Sequence, residues 1–219
     1  MKKILLSSLL IASSTCTYAL EGEIHWNAVD LNYSSFDMDD SGTFEPTGVE
    51  FKADYLLNEN VFVTGSYSRV SDDISVDFRS LNGSTFNIES TISTLKAGVG
   101  YRFELTTGVD GYGSISYLNQ ELEAEVRGES SSTDASGTIA TIGVKFKPIL
   151  KLELFGQVSS INASVDEEDD DINESSESYS DTELKIGARY KFDNSFAVST
   201  SYAKLDDYNV FNFGGSYYF

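Results

Sequence analysis

The sequence predicts an all-β protein, a closed antiparallel transmembrane β-barrel of ten strands preceded by a cleavable signal peptide. Three observations predict it. The amino terminus reads as a secretory leader, the rest of the chain falls into ten segments of alternating polarity, and their connections alternate between tight turns and long polar loops. Composition agrees. Phe and Tyr number 14 and 13, whereas Pro numbers two. Aromatic and β-branched residues suit a pleated surface better than a helix.

The leader comes first. Met1, Lys2 and Lys3 form a basic start, Ile4 to Ala12 an apolar run, and Ser13 to Ala19 a small polar stretch. Thr17 and Ala19 stand three and one before a cut after Ala19, the layout of a secretory signal peptide and too short for a spanning helix. The expected division is therefore 1–19 signal peptide and 20–219 barrel domain. The only cysteine is Cys16, so the processed chain would hold no disulfide and no thiolate metal site. Ser13-Ser14-Thr15 lacks the apolar and small residues that lipid attachment at Cys16 needs. Loss of Lys2 and Lys3 takes the net charge from −20 to −22. Nucleic acid is excluded as a partner, because phosphate contacts need basic surface.

The strands follow with a period of two. Val49, Phe51, Ala53 and Tyr55 share one face, with Glu50, Lys52 and Asp54 on the other. Lys96 and Arg102 oppose Leu95, Val99, Tyr101 and Phe103; Lys145 opposes Ile142, Val144 and Phe146; Lys185 and Arg189 oppose Leu184, Ile186, Tyr190 and Phe192. These even-numbered segments echo one another around a Gly-x-x-aromatic core, and three odd-numbered segments end alike at Tyr67, Tyr117 and Tyr202. A repeating two-strand unit implies an even count. The expected strands are 23–34, 46–57, 60–71, 92–104, 108–121, 137–147, 150–162, 182–192, 195–205 and 208–219, with eight strands the alternative count.

The links decide between a barrel and a soluble sandwich. Residues 58–59, 104–107, 148–149 and 193–194 form tight turns, whereas 35–45, 72–91, 122–136 and 163–181 are long and polar. A sandwich has no reason to alternate in this way. A transmembrane barrel does, with short periplasmic turns and long extracellular loops. Segments of about 10–12 residues cross a bilayer at a tilt, and aromatics gather near the tight turns as an interfacial girdle.

The terminal segment carries a family signature. Asn212 is followed by Gly214, then by Tyr217 and Phe219 at alternate positions. With the leader and the strand pattern, the mature chain resembles the small OmpA/OmpX-like outer-membrane barrels of the "outer membrane protein beta-barrel domain" type. The resemblance implies an outer-membrane location amid lipid and lipopolysaccharide, and insertion by the barrel-assembly machinery, with Gly214, Tyr217 and Phe219 as the assembly signal. It also implies a monomer with a porin-like or surface role. Relatives of the OmpX type have eight strands against ten here. Relatives of the OmpA type carry a peptidoglycan-binding domain after the barrel, and its roles are not carried over.

Function is less legible. An enzyme is not expected: His25 is the sole histidine, and no paired constellation accompanies it. Glu50, Lys52, Asp54, Lys96, Arg102, Lys145, Lys185 and Arg189 are expected to face the lumen. Opposite charges there should pair, because unpaired buried charge is costly. A mostly plugged interior is therefore expected, with a narrow, weakly selective channel as the alternative. The favoured reading is a structural or surface-interaction barrel in adhesion or envelope integrity, acting through long loops toward an extracellular ligand the sequence does not name.

No cofactor is expected, with Ca²⁺ or Mg²⁺ at the acidic loops as the one candidate. Asp37, Asp39, Ser41 and Glu45 match positions one, three, five and nine of a calcium loop, with Gly42 at six. Gly48 stands where the closing Glu belongs. Residues 166–183 hold ten acids and no base, the pattern of a solvated loop.

Overall fold

The computed structural model describes residues 23–38, 45–77, 85–126, 129–166 and 177–219. The expected signal peptide lies outside the described residues. Ten strands form: β1 Ala28–Met38, β2 Thr47–Leu56, β3 Val61–Asp77, β4 Thr85–Thr106, β5 Val109–Val126, β6 Glu129–Ile149, β7 Leu152–Asp166, β8 Glu177–Lys191, β9 Phe196–Lys204 and β10 Tyr208–Tyr218. Each pairs with its sequence neighbour, and β1 pairs with β10 from Ala28↔Tyr218 to Met38↔Tyr208, so the barrel closes. Every pairing is antiparallel. The count is ten rather than the alternative eight. No edge strand is left within the ring, which is how such a sheet satisfies its backbone in lipid.

The repeated glycines of the even strands have a packing reason. Phe62 lies opposite Gly100, Tyr112 opposite Gly143 and Phe155 opposite Gly187 in the strand register. In each pair the ring covers the glycine, and a Cβ there would collide with it. A cross-strand aromatic thus fills the gap left by the glycine. Gly108 takes φ 76° in the β4–β5 turn, a left-handed conformation that glycine adopts without steric cost.

Strand heights are unequal, and here the structure corrects the sequence reading. β1, β2, β9 and β10 have 9–11 residues, whereas β4 and β6 have 22 and 21. Most of the expected loops 72–91 and 122–136 is strand. The described outward residues there, Asp73, Glu89, Glu123, Glu125, Ser132 and Asp134, are polar and do not form the apolar face that marks a membrane-spanning segment. β1 starts at Ala28 rather than 23, because residues 23–27 leave the wall and enter the barrel. The β9–β10 connection is short, as the expected strands 195–205 and 208–219 require. It is closed by the Leu205 N–H donating to the Tyr208 carbonyl at 2.9 Å.

Candidate functional site

The outer wall has two zones. In the lower zone Leu31, Phe51, Val99, Ile115, Ile142, Val158, Ile186 and Phe213 all point outward and are exposed. Tyr55, Tyr101, Tyr190 and Tyr217 stand toward the tight turns, and Tyr33, Tyr67, Tyr117 and Tyr202 toward the other end, all exposed. An apolar belt between aromatic girdles is the outer surface of a transmembrane barrel. Above Tyr67, Leu95, Tyr117, Val158 and Leu184 the outward positions become Arg69, Ser93, Asn119, Ser160 and Thr182. Farther up, Glu121, Glu123, Glu125 and Asp134 are exposed. Strands β3 to β8 therefore rise out of the belt as a curved sheet. β4 continues ten residues past Leu95 to Thr85, about 30 Å of extended chain. Glu89 lies opposite both Asp73 and Glu125, and Glu121 lies opposite Asp134. Facing like charges are destabilising, so the outer face of this sheet keeps a strong negative field.

The inner face inverts the same pattern. Within the belt it is charged and hydrogen-bonded. Arg189 Nη2 lies 2.6 Å from Asp30 Oδ2, and Arg189 Nη1 lies 3.1 Å from Glu153 Oε1. Lys52 Nζ lies 3.1 Å from Asp54 Oδ2, and Thr64 donates its hydroxyl to Asp54 at 2.7 Å. Arg102 pairs with Asp110 at 3.1 Å, and Asn32 donates to Glu50 at 3.3 Å. Gln157 donates to Glu183 at 3.1 Å and accepts from the Tyr112 hydroxyl at 2.9 Å. These pairs run along the inner wall and compensate the buried Asp30, Asp54, Asp110, Glu153 and Arg189, but not Lys145, Lys147 and Lys191. Toward the emergent sheet, Leu118, Ile139, Ile161, Ala163, Ala203 and Leu205 form an apolar cluster, with Tyr208 and Val210 packed on it. The β9–β10 hairpin tip thus leans across the barrel onto β5–β7. Below this cluster a chamber of about 140 Å³ remains, lined by Glu50, Lys96, Glu183, Lys185 and their neighbours.

The tight-turn end, periplasmic in such barrels, is closed by residues 23–27. This strap runs from β1 toward β6, and these two strands stand opposite each other in the ring. Asn27 Oδ1 accepts from the Leu56 N–H at 2.8 Å. Trp26 is 2 % exposed and packs on Phe62 and Tyr112 at ring distances of 4.7 and 5.4 Å, and Ile24 joins the same buried group. Trp26 Nε1–H donates to Asp110 Oδ2 at 2.6 Å, so the indole has both its apolar burial and its polar partner. At the far side Lys147 Nζ donates to the Glu23 carbonyl at 3.0 Å.

All eight residues expected to line the lumen face the interior. Tyr217 and Phe219 point outward, and Gly214 points inward where a Cβ would meet the Leu31 carbonyl and the Asn32 side chain. Of the calcium-loop residues, Asp39 and Ser41 lie outside the described residues. Asp37 is exposed in β1 opposite Asn209, and the Glu45 N–H donates to Asp72 at 2.7 Å. Sequence reasoning missed the strap. Ile24 and Trp26 alternate with Glu23 and His25 like a strand and merged with β1.

A closed ten-strand barrel with an apolar exterior and an ion-paired interior defines a membrane-spanning β-barrel protein. The family model described as "Outer membrane protein beta-barrel domain" matches residues 5–154. The chain belongs to that family and resides in the outer membrane. No curated protein matches it significantly in sequence. Among solved structures, the β domain of the Bordetella autotransporter Brka is 10 % identical at a TM-score of 0.54, covering 90 % of this chain and 100 % of that one. The translocator domain of the autotransporter NalP from Neisseria meningitidis is 13 % identical at 0.52, covering 98 % and 95 %. Ail, the attachment invasion locus protein of Yersinia pestis, is 16 % identical at 0.39, covering 90 % and 100 %. Identities this low speak to the fold alone.

Proposed function

We propose that this protein is a surface-interaction barrel, an anchor that holds the emergent β3–β8 sheet above the outer membrane as a docking surface. The observation that carries the reading is the height of that sheet. A bilayer needs about 9–11 residues per tilted strand, and β4 and β6 have twice that. Ordered strands beyond the belt cost conformational entropy that membrane anchoring does not require. The outer face of the sheet bears Asp73, Glu89, Glu121, Glu123, Glu125 and Asp134. It is repelled by anionic lipopolysaccharide and suited to a basic partner surface. The reading is non-catalytic and calls for no cofactor. His25, the sole histidine, lies on the strap at the opposite end of the barrel. A conducting pore is disfavoured by the strap below and the Leu118–Ile139–Ile161 cluster above.

The test compares cells displaying the full chain with cells displaying a chain whose β3–β4 and β5–β6 hairpins are cut back to the belt and closed by short turns. Both barrels should reach the outer membrane and migrate differently before and after boiling. Attachment to polylysine-coated and host-cell surfaces should fall to background only in the trimmed chain. Unchanged attachment, or stable single-channel conductance of the full chain in planar bilayers, would remove the reading.

A further inference from the structure

Three lysines at the periplasmic mouth are buried without a carboxylate partner. Lys145, Lys147 and Lys191 are 5, 6 and 7 % exposed. Among the described residues, none has a carboxylate oxygen within 4 Å. Their partners are weaker. Lys145 Nζ stands 3.7 Å above the Trp26 ring, Lys191 Nζ stands 3.8 Å above the Tyr218 ring, and Lys147 donates to the Glu23 carbonyl. The neighbouring acids are already engaged: Glu153 binds Arg189, Asp54 binds Lys52 and Asp110 binds Arg102. Lys145 and Lys147 share the inner face of β6, and Lys147 and Lys191 are near enough that both act on His25, whose ring meets Tyr218 edge-on at 5.9 Å. A buried ammonium facing only a π-cloud or a carbonyl lacks the compensation that a counter-ion would give.

Two of these three contacts are made to the strap itself. The strap uses groups an anion would use better, because charge-assisted bonds from an ammonium to an oxyanion are roughly twice as strong as neutral ones. We propose that Lys147 and Lys191 form a binding site for a small polyvalent oxyanion at the periplasmic mouth, covered by the strap, so that anion and seated strap exclude each other; Lys145 lines the chamber on the inner side of Trp26. Both side chains lie on inward positions, so the anion is a soluble one that enters through the barrel mouth. Lipid headgroups outside the wall do not reach it. The site does not depend on the surface-interaction reading, which concerns the opposite end of the molecule.

Trp26 is the only tryptophan in the chain, so its fluorescence reports the strap directly. The processed protein, folded in detergent, is titrated with inorganic pyrophosphate while Trp26 emission and acrylamide quenching are followed. Saturable red-shifted emission is expected, with a several-fold rise in quenching. Sodium chloride at matched ionic strength should leave the signal unchanged. Lys147→Gln and Lys191→Gln should each weaken the response at least tenfold, Lys147→Arg should retain it, and Lys151→Gln, at an exposed turn position, should not alter it. A gel shift on boiling verifies that each variant is folded. No response to pyrophosphate, an equal response to sodium chloride, or an undiminished response in folded Lys147→Gln and Lys191→Gln would each overturn the proposal.

Discussion

The belt and the emergent sheet are one continuous lattice of strands with opposite polarity. In the belt the outward residues of β4 and β6 are Val99, Tyr101, Ile142 and Val144, and the inward ones include Lys96, Arg102 and Lys145. Some ten residues higher the same strands turn Glu89, Asp134 and Ser132 outward and Ile92 and Ala135 inward. The register does not break between the zones; only the solvent outside changes. In lipid the polar groups must gather inside, where they pair with one another. In water the apolar residues gather inside, where the β9–β10 hairpin helps to cover them. The period of two is a property of the strand, and the phase is chosen by what surrounds it.

The largest expected effect breaks the belt at its seam. Phe219→Asp puts a charge on the lipid-facing end of the chain beside Tyr55 and Tyr217, which stack with Phe219 at ring distances of 6.2 and 6.4 Å. We expect loss of the protein from the outer-membrane fraction, measured by immunoblot, on the proposal that assembly also reads this terminal strand. Normal outer-membrane levels would remove that dependence.

Next comes the belt interior. Arg189→Met keeps the volume but leaves Asp30 and Glu153 buried without their cation. A cost of about 3–5 kcal/mol is expected for breaking such a pair from one side, read as a lower urea midpoint for refolding into lipid vesicles. An unshifted midpoint would mean that water, not Arg189, compensates these acids.

A matched pair of arginines sharpens the boundary between the zones. Ile142→Arg at the middle of the belt should cost about 2–4 kcal/mol. Thr138→Arg, two outward positions higher on β6, should fall within about 0.5 kcal/mol of the parent, as surface substitutions do. Equal penalties at both sites would place the boundary elsewhere.

The smallest effect concerns the strap. Burial first, then the charges of Lys191 and Lys147, hold the His25 pKa below the usual histidine range, with Glu153 and Glu23 pulling the other way. A released strap would bind its proton at higher pH than the seated one. Seating is therefore complete above the ordinary histidine pKa of about 6.5 and weakens as pH falls below it. Trp26 quenching should rise between about pH 7 and about pH 5, and His25→Gln should flatten the curve. A flat curve in the parent protein would show that His25 is not coupled to the strap.

What the sequence made legible follows from the same contrast. Alternation is loud where one neighbour is lipid, so Glu50, Lys52 and Asp54 against Val49, Phe51 and Tyr55 announced β2 and its inner face. It is faint where both neighbours are water. Leu122 and Ala124 alternate with Glu121, Glu123 and Glu125, yet the acids and serines around them read as a loop. The strap was hidden for the converse reason, since its own alternation imitates a strand. The Arg189–Asp30 contact joins residues 159 apart. It depends on ring closure through β9 and β10, which brings β8 near β1, and no local pattern records that.

The strands change phase at the membrane surface, and the outward face of β6 is where that change can be measured. Because the only cysteine is Cys16, in the expected leader, single cysteines at Val144, Ile142, Ala140, Thr138, Ser136, Asp134 and Ser132 can carry nitroxide labels in the bilayer-reconstituted protein. Collision with oxygen, which concentrates in lipid, is compared with collision with a water-soluble nickel chelate. Oxygen should dominate at Val144 and Ile142, the two should cross near Ala140 and Thr138, and the chelate should dominate at Asp134 and Ser132. Lipid-like accessibility at Asp134 and Ser132, or label mobility there typical of an unstructured loop, would contradict an ordered sheet standing above the membrane.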